Sequence, residues 1–183
     1  MHHTWKIMGA MALATVMTLA GCAREGANPN EEAAISSKPA EATPPPSPEL
    51  KPLVVKADPP PQPVGVTMAK ETSAQDEDVV VIGRLKDFVA GKAAFTMVDG
   101  SIPSCKEDMD ECETPWDYCC TSPKKVAANS ALVQLIGENG KALDGNLQGV
   151  NSIDHLSTVV VTGKAIKDDA GNLTIKADKV YLE

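Results

Sequence analysis

The sequence predicts a mainly all-β domain: a small five-stranded barrel with a short helix and a disulfide-rich insert, preceded by a disordered Pro-rich linker. Three observations predict this class: Val-rich segments bounded by turn residues between 79 and 183, no long helical period there, and a proline-dense stretch before residue 79. Leu173, Ile175 and Ala177 alternate with polar residues, which is the period of a strand with one buried face. Asn139-Gly140 and residues 169–172 supply turn signals.

Residues 1–21 are predicted to be a lipoprotein signal peptide. Lys6 precedes an uncharged apolar run, residues 7–20, which is too short to span a bilayer comfortably. The run ends in Leu-Ala-Gly-Cys at residues 19–22, which resembles the lipobox of bacterial lipoproteins. The resemblance implies cleavage before Cys22, acylation of its sulfur and amine, and a lipid anchor that holds the chain on the periplasmic or surface side of an envelope membrane.

Residues 22–78 are predicted to be a disordered Pro-rich tether. Eleven of the 14 prolines of the chain lie here, among Ala, Glu, Lys, Ser and Thr. Such a composition buries too little apolar surface to fold, and its prolines favour the extended polyproline II conformation. The domain is therefore expected to begin at Val79 and to run to Glu183.

The net charge excludes one class of partner. The chain carries a formal charge of −8 at pH 7, and the parts before and after residue 79 are both acidic. A phosphate backbone would meet net repulsion from either part, so nucleic acid is not expected as a ligand.

Two segments with a glycine inside a strand pattern refine the fold prediction. Residues 79–87 and 159–168 both contain Val-Val-Val-x-Gly followed by a basic residue. A glycine within a strand marks a bulge or bend, which lets a strand turn the corner of a barrel. Two such strands, with a short helix before the fourth strand, resemble the OB-fold over residues 79–183. The resemblance implies an OB-like barrel, with the cysteine-rich insert, residues 102–125, between its second and third strands.

Four cysteines follow the lipobox cysteine: Cys105, Cys112, Cys119 and Cys120. An even number in an exported chain predicts two disulfides. The favoured pairings are Cys105–Cys119 with Cys112–Cys120, or Cys105–Cys120 with Cys112–Cys119, because the third requires a strained bond between adjacent residues. The Cys-x2-4-Cys pairs of structural zinc sites are absent, and adjacent cysteines are expected to point apart, so no metal ligand set is predicted. A metal-binding or redox-active role of the cysteine and acidic loop remains the alternative.

Trp116 and Tyr118 are the predicted binding residues. They lie in a segment with few aliphatic side chains, where a rigid aromatic ring on a pinned loop makes a good contact residue. The alternative is that Trp116 packs over the cysteines as a miniature core. The stretch Thr-Pro-Trp-Asp-Tyr-Cys-Cys at residues 114–120 also resembles segments of small exported planctomycete proteins, and this resemblance implies no mechanism.

Catalysis has no support in the sequence. His155 is the only histidine after the signal peptide, and its Ser-Ile-Asp-His context does not bring together the separate elements that a catalytic triad needs, so a surface or helix-end position is expected. No enzyme activity and no cofactor are therefore expected. The predicted function is non-catalytic binding of a protein or envelope component by a membrane-anchored lipoprotein; the alternatives are a metal-binding lipoprotein and a purely structural envelope protein.

Overall fold

The computed structural model describes residues 44–108 and 112–183. In this part the strands are β1 Val54–Val55, β2 Val64–Gly65, β3 Asp78–Phe88, β4 Ala94–Val98, β5 Ser130–Leu135, β6 Thr158–Lys167 and β7 Leu173–Leu182. The helices are α1 Val66–Thr72, α2 Cys105–Asp108 and α3 Pro123–Ala128, and two 3-10 turns span Pro48–Leu50 and Val150–Ser152. Among the helices of the described residues, none combines the length and the apolar character that a membrane span requires.

Five of the strands close into a barrel. β3 pairs antiparallel with β4, and β4 pairs antiparallel with β5. β5 pairs parallel with β7, and β6 runs antiparallel to both β7 and β3, which closes the ring. This arrangement confirms the predicted five-stranded, OB-like barrel. The insert leaves the barrel between β4 and β5, the second and third strands of the ring, as predicted.

β3 bends because it pairs with two different neighbours along its length. Asp78 to Arg84 pair with β6, whereas Arg84 to Phe88 pair with β4. Gly83 lies at the change of partner, where a Cβ would approach to 2.6 Å from Met97 Cγ. The same Cβ would lie 2.8 Å from the backbone carbonyl oxygen of Val98, so glycine is what lets β3 and β4 approach this closely where the sequence predicts a bend.

The second predicted glycine also has a backbone role. The register between β6 and β7 shifts at Gly163, which is the bulge expected there. A Cβ on Gly163 would lie 2.2 Å from the carbonyl oxygen of Lys176 and 2.7 Å from the Cα of Ala177. These contacts are with backbone, which no side-chain rotation can relieve.

Gly163→Ala is therefore expected to lower the free energy of unfolding by more than about 2 kcal/mol, because the backbone of β7 must move to admit the methyl group. Chemical denaturation of the variant and the wild type measures the difference. Gly100→Ala is the matched control, since a Cβ at Gly100 meets no atom within 4 Å; its effect should stay within about 0.5 kcal/mol. Equal stability of the two variants would contradict the role assigned to Gly163.

The interior of the barrel is apolar and continuous. Strand residues that point inward have relative exposures near 0%, and α1 adds its buried face to the same core. The largest fully buried side chains of this core include Phe95, Leu50, Leu85, Met97 and Leu135. Burial of such side chains is the main stabilising term of a domain of this size.

The predicted start of the domain at Val79 is wrong. The described unit already includes the segment 44–78, which adds β1 to β7 and β2 to β3, each in parallel pairing. Leu50 is 2% exposed and Val54 and Val66 are 0% exposed, so this segment contributes to the core. Its prolines are compatible with order because they occupy a 3-10 turn and loops, where no ladder hydrogen bond is lost. Residues 22–43 of the predicted tether lie outside the described residues.

Asp99 fixes the first helix to the barrel. α1 has no cap from its own N-cap residue, Gly65, and the Asp99 carboxylate accepts a 2.9 Å hydrogen bond from the backbone N–H of Thr67 instead. Burial opposes the charge of Asp99, but the hydrogen bonds from Thr67 and Ser101 outweigh it, and the pKa of Asp99 is lowered. A carboxylate at this position satisfies a free N–H and favours the helix N-terminus.

Candidate functional site: the cysteine-rich insert

The insert is built from two segments that lie side by side. The short helix α2 begins at Cys105, and residues 112–120 run past it. Cys105 N–H donates to the carbonyl of Asp117 at 2.8 Å, and Lys106 N–H donates to that of Pro115 at 2.9 Å. Backbone pairing thus replaces the aliphatic packing that this segment lacks.

A small second core lies beneath the insert. It consists of Val98 at the end of β4, Ile102 and Tyr118, with Val126 and Leu156 against it. Tyr118 is 2% exposed, and its hydroxyl has no hydrogen-bond partner among the described residues. Burial raises the pKa of Tyr118. The ring of Tyr118 therefore packs as core; its predicted role in binding a partner stays a prediction.

Arg84 of β3 holds the insert to the barrel. Its guanidinium donates to the carbonyl oxygen of Ile102 at 2.6 Å and to that of Gly100 at 3.2 Å. It also forms a 2.5 Å ion pair with Glu107 of α2. The hydrogen bond from Arg84 lowers the pKa of Glu107. One side chain thus binds both the start of the insert and its first helix.

A second basic side chain of β3 supports the other segment of the insert. Lys86 Nζ lies 3.4 Å from Asp117 and 2.5 Å from Asp87. The N–H of Tyr118 donates to the Asp117 carboxylate at 2.7 Å. That backbone hydrogen bond, opposed by burial and assisted by Lys86, lowers the pKa of Asp117. Arg84 and Lys86 therefore place a positive charge under each segment.

Three of the four predicted cysteines, Cys105, Cys119 and Cys120, form a close cluster, and Cys112 lies beside Cys119. The sulfur of Cys119 lies 2.8 Å from that of Cys105, 3.4 Å from that of Cys112 and 4.0 Å from that of Cys120. The sulfurs of Cys105, Cys119 and Cys120 are all within 4.8 Å of one another. All four cysteines are free thiols in this structure, and the two predicted disulfides stay a prediction.

The expectation that Cys119 and Cys120 point apart is wrong. Their sulfurs are 4.0 Å apart because the chain turns at this point, with Thr121 N–H donating to the Tyr118 carbonyl at 2.9 Å. Adjacent side chains diverge in an extended strand, but not in a turn of this kind. Because of this turn, the sulfurs of Cys119 and Cys120 can both approach one shared ligand.

Hydrogen bonding within the cluster favours the thiolate form of Cys105. Hydrogen bonding to the Cys119 thiol lowers the pKa of Cys105 to about 7, and burial opposes this shift. The pKa of Cys119 is raised because its thiol shares hydrogen bonds with Cys105 and Cys112. Thiolates are both the nucleophiles and the metal ligands of cysteine chemistry, so the arrangement can form disulfides or bind a soft metal ion.

Trp116 is exposed but supported. The residue is 40% exposed, and its ring stacks on that of His155 with ring centroids 5.5 Å apart and planes at 29°. His155 in turn meets Phe88 edge-on at 5.2 Å, and its Nδ1 is hydrogen-bonded to the carbonyl of Lys86. The ring of Trp116 is therefore held in place on the barrel while one face remains open to solvent.

Two concave surfaces flank the segment that carries Trp116. The Trp hollow, about 500 Å³, is lined by Trp116, His155 and neighbours that include Lys106, Gln148 and Asp154. The insert groove, about 690 Å³, lies between the other side of the insert and the outer faces of β4 and β5, with Val126, Leu132 and Leu173 in its walls. The insert thus borders both hollows and leaves the sheet face partly open.

Sequence reasoning missed three supporting residues: Arg84, Lys86 and His155. Arg84 is the basic residue that follows Gly83 in the repeated pattern, but nothing in the pattern indicates a partner twenty-three residues away. His155 is expected from the sequence to be a surface residue, and the structure places its ring between Trp116 and Phe88. Only the fold brings these contacts together.

The fold and the site define a class: an OB-like β-barrel with a cysteine cluster on an insert between its second and third strands. Neither a protein-family model nor a curated protein matches the chain.

Among solved structures, the chain is similar to the hypothetical protein ygiW from E. coli, with 14% identity and a TM-score of 0.38. That match covers 68% of this chain and 94% of the other. The chain is also similar to a putative aspartyl-tRNA synthetase from Leishmania major Friedlin, with 11% identity and a TM-score of 0.42, over 73% of this chain but only 24% of that protein.

Arg84→Met is expected to loosen the insert while the barrel stays folded, because it removes the donor to the Gly100 and Ile102 carbonyls and the ion pair with Glu107. We expect a loss of about 2 kcal/mol in the stability of the insert. Limited proteolysis, with the cut sites mapped by mass spectrometry, should show cleavage between residues 100 and 125 at least tenfold faster than in the wild type.

Lys92→Met is the control for this experiment, since the Lys92–Asp144 ion pair is exposed and lies outside the insert. Its cleavage pattern should match the wild type. Unchanged proteolysis of the insert in Arg84→Met would show that Arg84 does not anchor it.

Proposed function

We propose that this protein is a membrane-anchored lipoprotein whose barrel presents the insert for non-catalytic binding of a protein or other envelope component. The observation that carries the proposal is Trp116: a large aromatic ring that is exposed yet fixed by stacking on His155. A side chain that is ordered before binding loses little conformational entropy on contact, and tryptophan is the residue most enriched among binding hot spots.

The surroundings of Trp116 support a specific contact. The Trp hollow offers the Lys106 ammonium and the polar groups of Gln148 and Asp154 beside the ring. Gln148 donates to Asp154 at 3.0 Å, so these side chains are already oriented. An aromatic centre with a polar rim is the usual composition of a protein-binding surface.

The anchor part of the proposal rests on the sequence at residues 19–22, which lie outside the described residues. Acylation at Cys22 would keep the barrel at a membrane surface. The segment 23–43 would then separate the anchor from the folded unit.

The anchor has a direct test. The mature protein, purified in detergent from its native host, should begin at Cys22 and carry the mass of the attached acyl groups. Cys22→Ala should be neither acylated nor retained in the membrane fraction. A mature wild-type N-terminus without lipid would contradict this part of the proposal and leave the binding part standing.

The binding surface is tested by Trp116→Ala, which should weaken partner binding about thirtyfold, since truncation of a hot-spot residue costs about 2 kcal/mol or more. Cross-linking in intact cells, followed by quantitative mass spectrometry, identifies the partners of the wild type. Purification of the most enriched one then allows its affinity to be measured by calorimetry.

Met68→Ala is the matched control for that measurement, because Met68 is 56% exposed on α1 and does not line the Trp hollow. It should bind like the wild type, and both variants should keep the thermal stability of the wild type to within the effect of a surface change. Equal affinities of Trp116→Ala and the wild type for the partner would contradict the assignment of the Trp hollow as the binding surface.

A further inference from the structure

We propose that Cys105, Cys112, Cys119 and Cys120 together form a tetrathiolate site for one thiophilic d10 metal ion, Zn²⁺ or Cu⁺. The inference is independent of the proposed binding function. The supporting observations are the closeness of the Cys119 sulfur to the other three sulfurs and the hydrogen bonds that fix the backbone around them.

The spacing of the sulfurs suits a single ion. Zinc–sulfur bonds are about 2.3 Å long, so the sulfurs of a tetrahedral site lie about 3.8 Å apart. The distances from the Cys119 sulfur to the other three are 2.8, 3.4 and 4.0 Å, which bracket this value. Movements of about 1 Å or less would bring these three distances to it, and Cys112, whose sulfur is not within 4.8 Å of all three others, would approach further to complete the set.

The arrangement is a cluster around one sulfur and not two separate pairs. Cys119 is a close neighbour of all three other cysteines, although a disulfide joins a sulfur to only one partner. An ion, in contrast, requires that all ligands approach one centre. The sulfurs of Cys105, Cys119 and Cys120 all lie within 4.8 Å of one another, so three ligands for one ion are already close together.

The backbone around the ligands is fixed by hydrogen bonds. The N–H of Cys105 is bonded to the Asp117 carbonyl, and the turn that carries Cys119 and Cys120 is closed by Thr121 N–H. Cys119 N–H also donates to the Cys105 sulfur at 3.2 Å, a bond of the kind that stabilises a ligating thiolate. Cys105 is buried whereas Cys119 and Cys120 are exposed, which gives an ion a path of entry.

The donor set favours a soft ion over calcium. Four thiols are the ligands that Zn²⁺ and Cu⁺ prefer, whereas calcium requires oxygen. Two acidic side chains of the insert that could supply oxygen, Glu107 and Asp117, are already engaged with Arg84 and Lys86. Binding converts thiols to thiolates and releases up to four protons to solvent, with no change in the oxidation state of sulfur.

The first test is performed on full-length chain purified anaerobically from its native host without chelator. Intact mass under native and denaturing conditions, thiol alkylation and elemental analysis are applied to one sample. We expect one equivalent of zinc or copper, four thiols that resist alkylation until denaturation, and loss of the metal on Cys119→Ser. Cys22→Ser, which changes the cysteine outside the cluster, should retain one equivalent.

A second measurement keeps the proposal testable if Cys119→Ser does not fold. In this measurement, Co²⁺ is titrated into the reduced, metal-free Cys22→Ser protein. Sulfur-to-cobalt charge-transfer bands that saturate at one equivalent of Co²⁺ support the site. Addition of Zn²⁺ should displace the cobalt and abolish these bands. A native mass short by four hydrogens, together with no cobalt bands in the reduced protein, would overturn it. If a protein with two disulfides and no metal still cross-links to its partner through the surface around Trp116, the metal site is rejected and the proposed binding function stands.

Discussion

The guanidinium of Arg84 is the contact on which the insert depends. The segment between β4 and β5 has few aliphatic residues, so it cannot hold its shape by burial alone. Arg84 supplies hydrogen bonds to two of its backbone carbonyls and an ion pair to its first helix. Its side chain is only 15% exposed, which limits competition from water and makes these charged hydrogen bonds stronger than surface ones.

The contacts of Arg84 with the insert explain how the cysteine cluster and Trp116 are arranged. With α2 fixed on Arg84, the backbone bonds from Cys105 and Lys106 position the following segment, residues 112–120. The same two bonds set the sulfur of Cys119 against that of Cys105 and turn Trp116 toward His155. The cysteine cluster and the exposed tryptophan are thus two outcomes of one local structure, and a change that frees the insert should affect both.

The sequence predicts the barrel well because its signals are local. Alternating strands, turn residues and glycines at 83 and 163 each act over a few residues, and the structure confirms them. The high proline content of the segment 44–78 leads to its prediction as a tether. Single apolar residues in it, such as Leu50 and Val54, become buried only through contacts with the folded barrel, so the local sequence does not indicate their burial. The insert shows the same limit: the cysteines are evident in the sequence, but their convergence and the support from Arg84 and His155 depend on contacts distant in sequence.

The central claim is that the insert is part of the folded unit. Its most direct test is amide hydrogen exchange of the insert in the wild-type protein. The N–H groups of Cys105, Lys106 and Asp117 make backbone hydrogen bonds and should exchange slowly, in the range of the barrel strands. Lys124 at the exposed start of α3 is an internal reference and should exchange fast. Exchange of the three insert amides at the rate of an unfolded chain, with β3 to β7 protected, would show that the insert is a mobile loop and would contradict that claim.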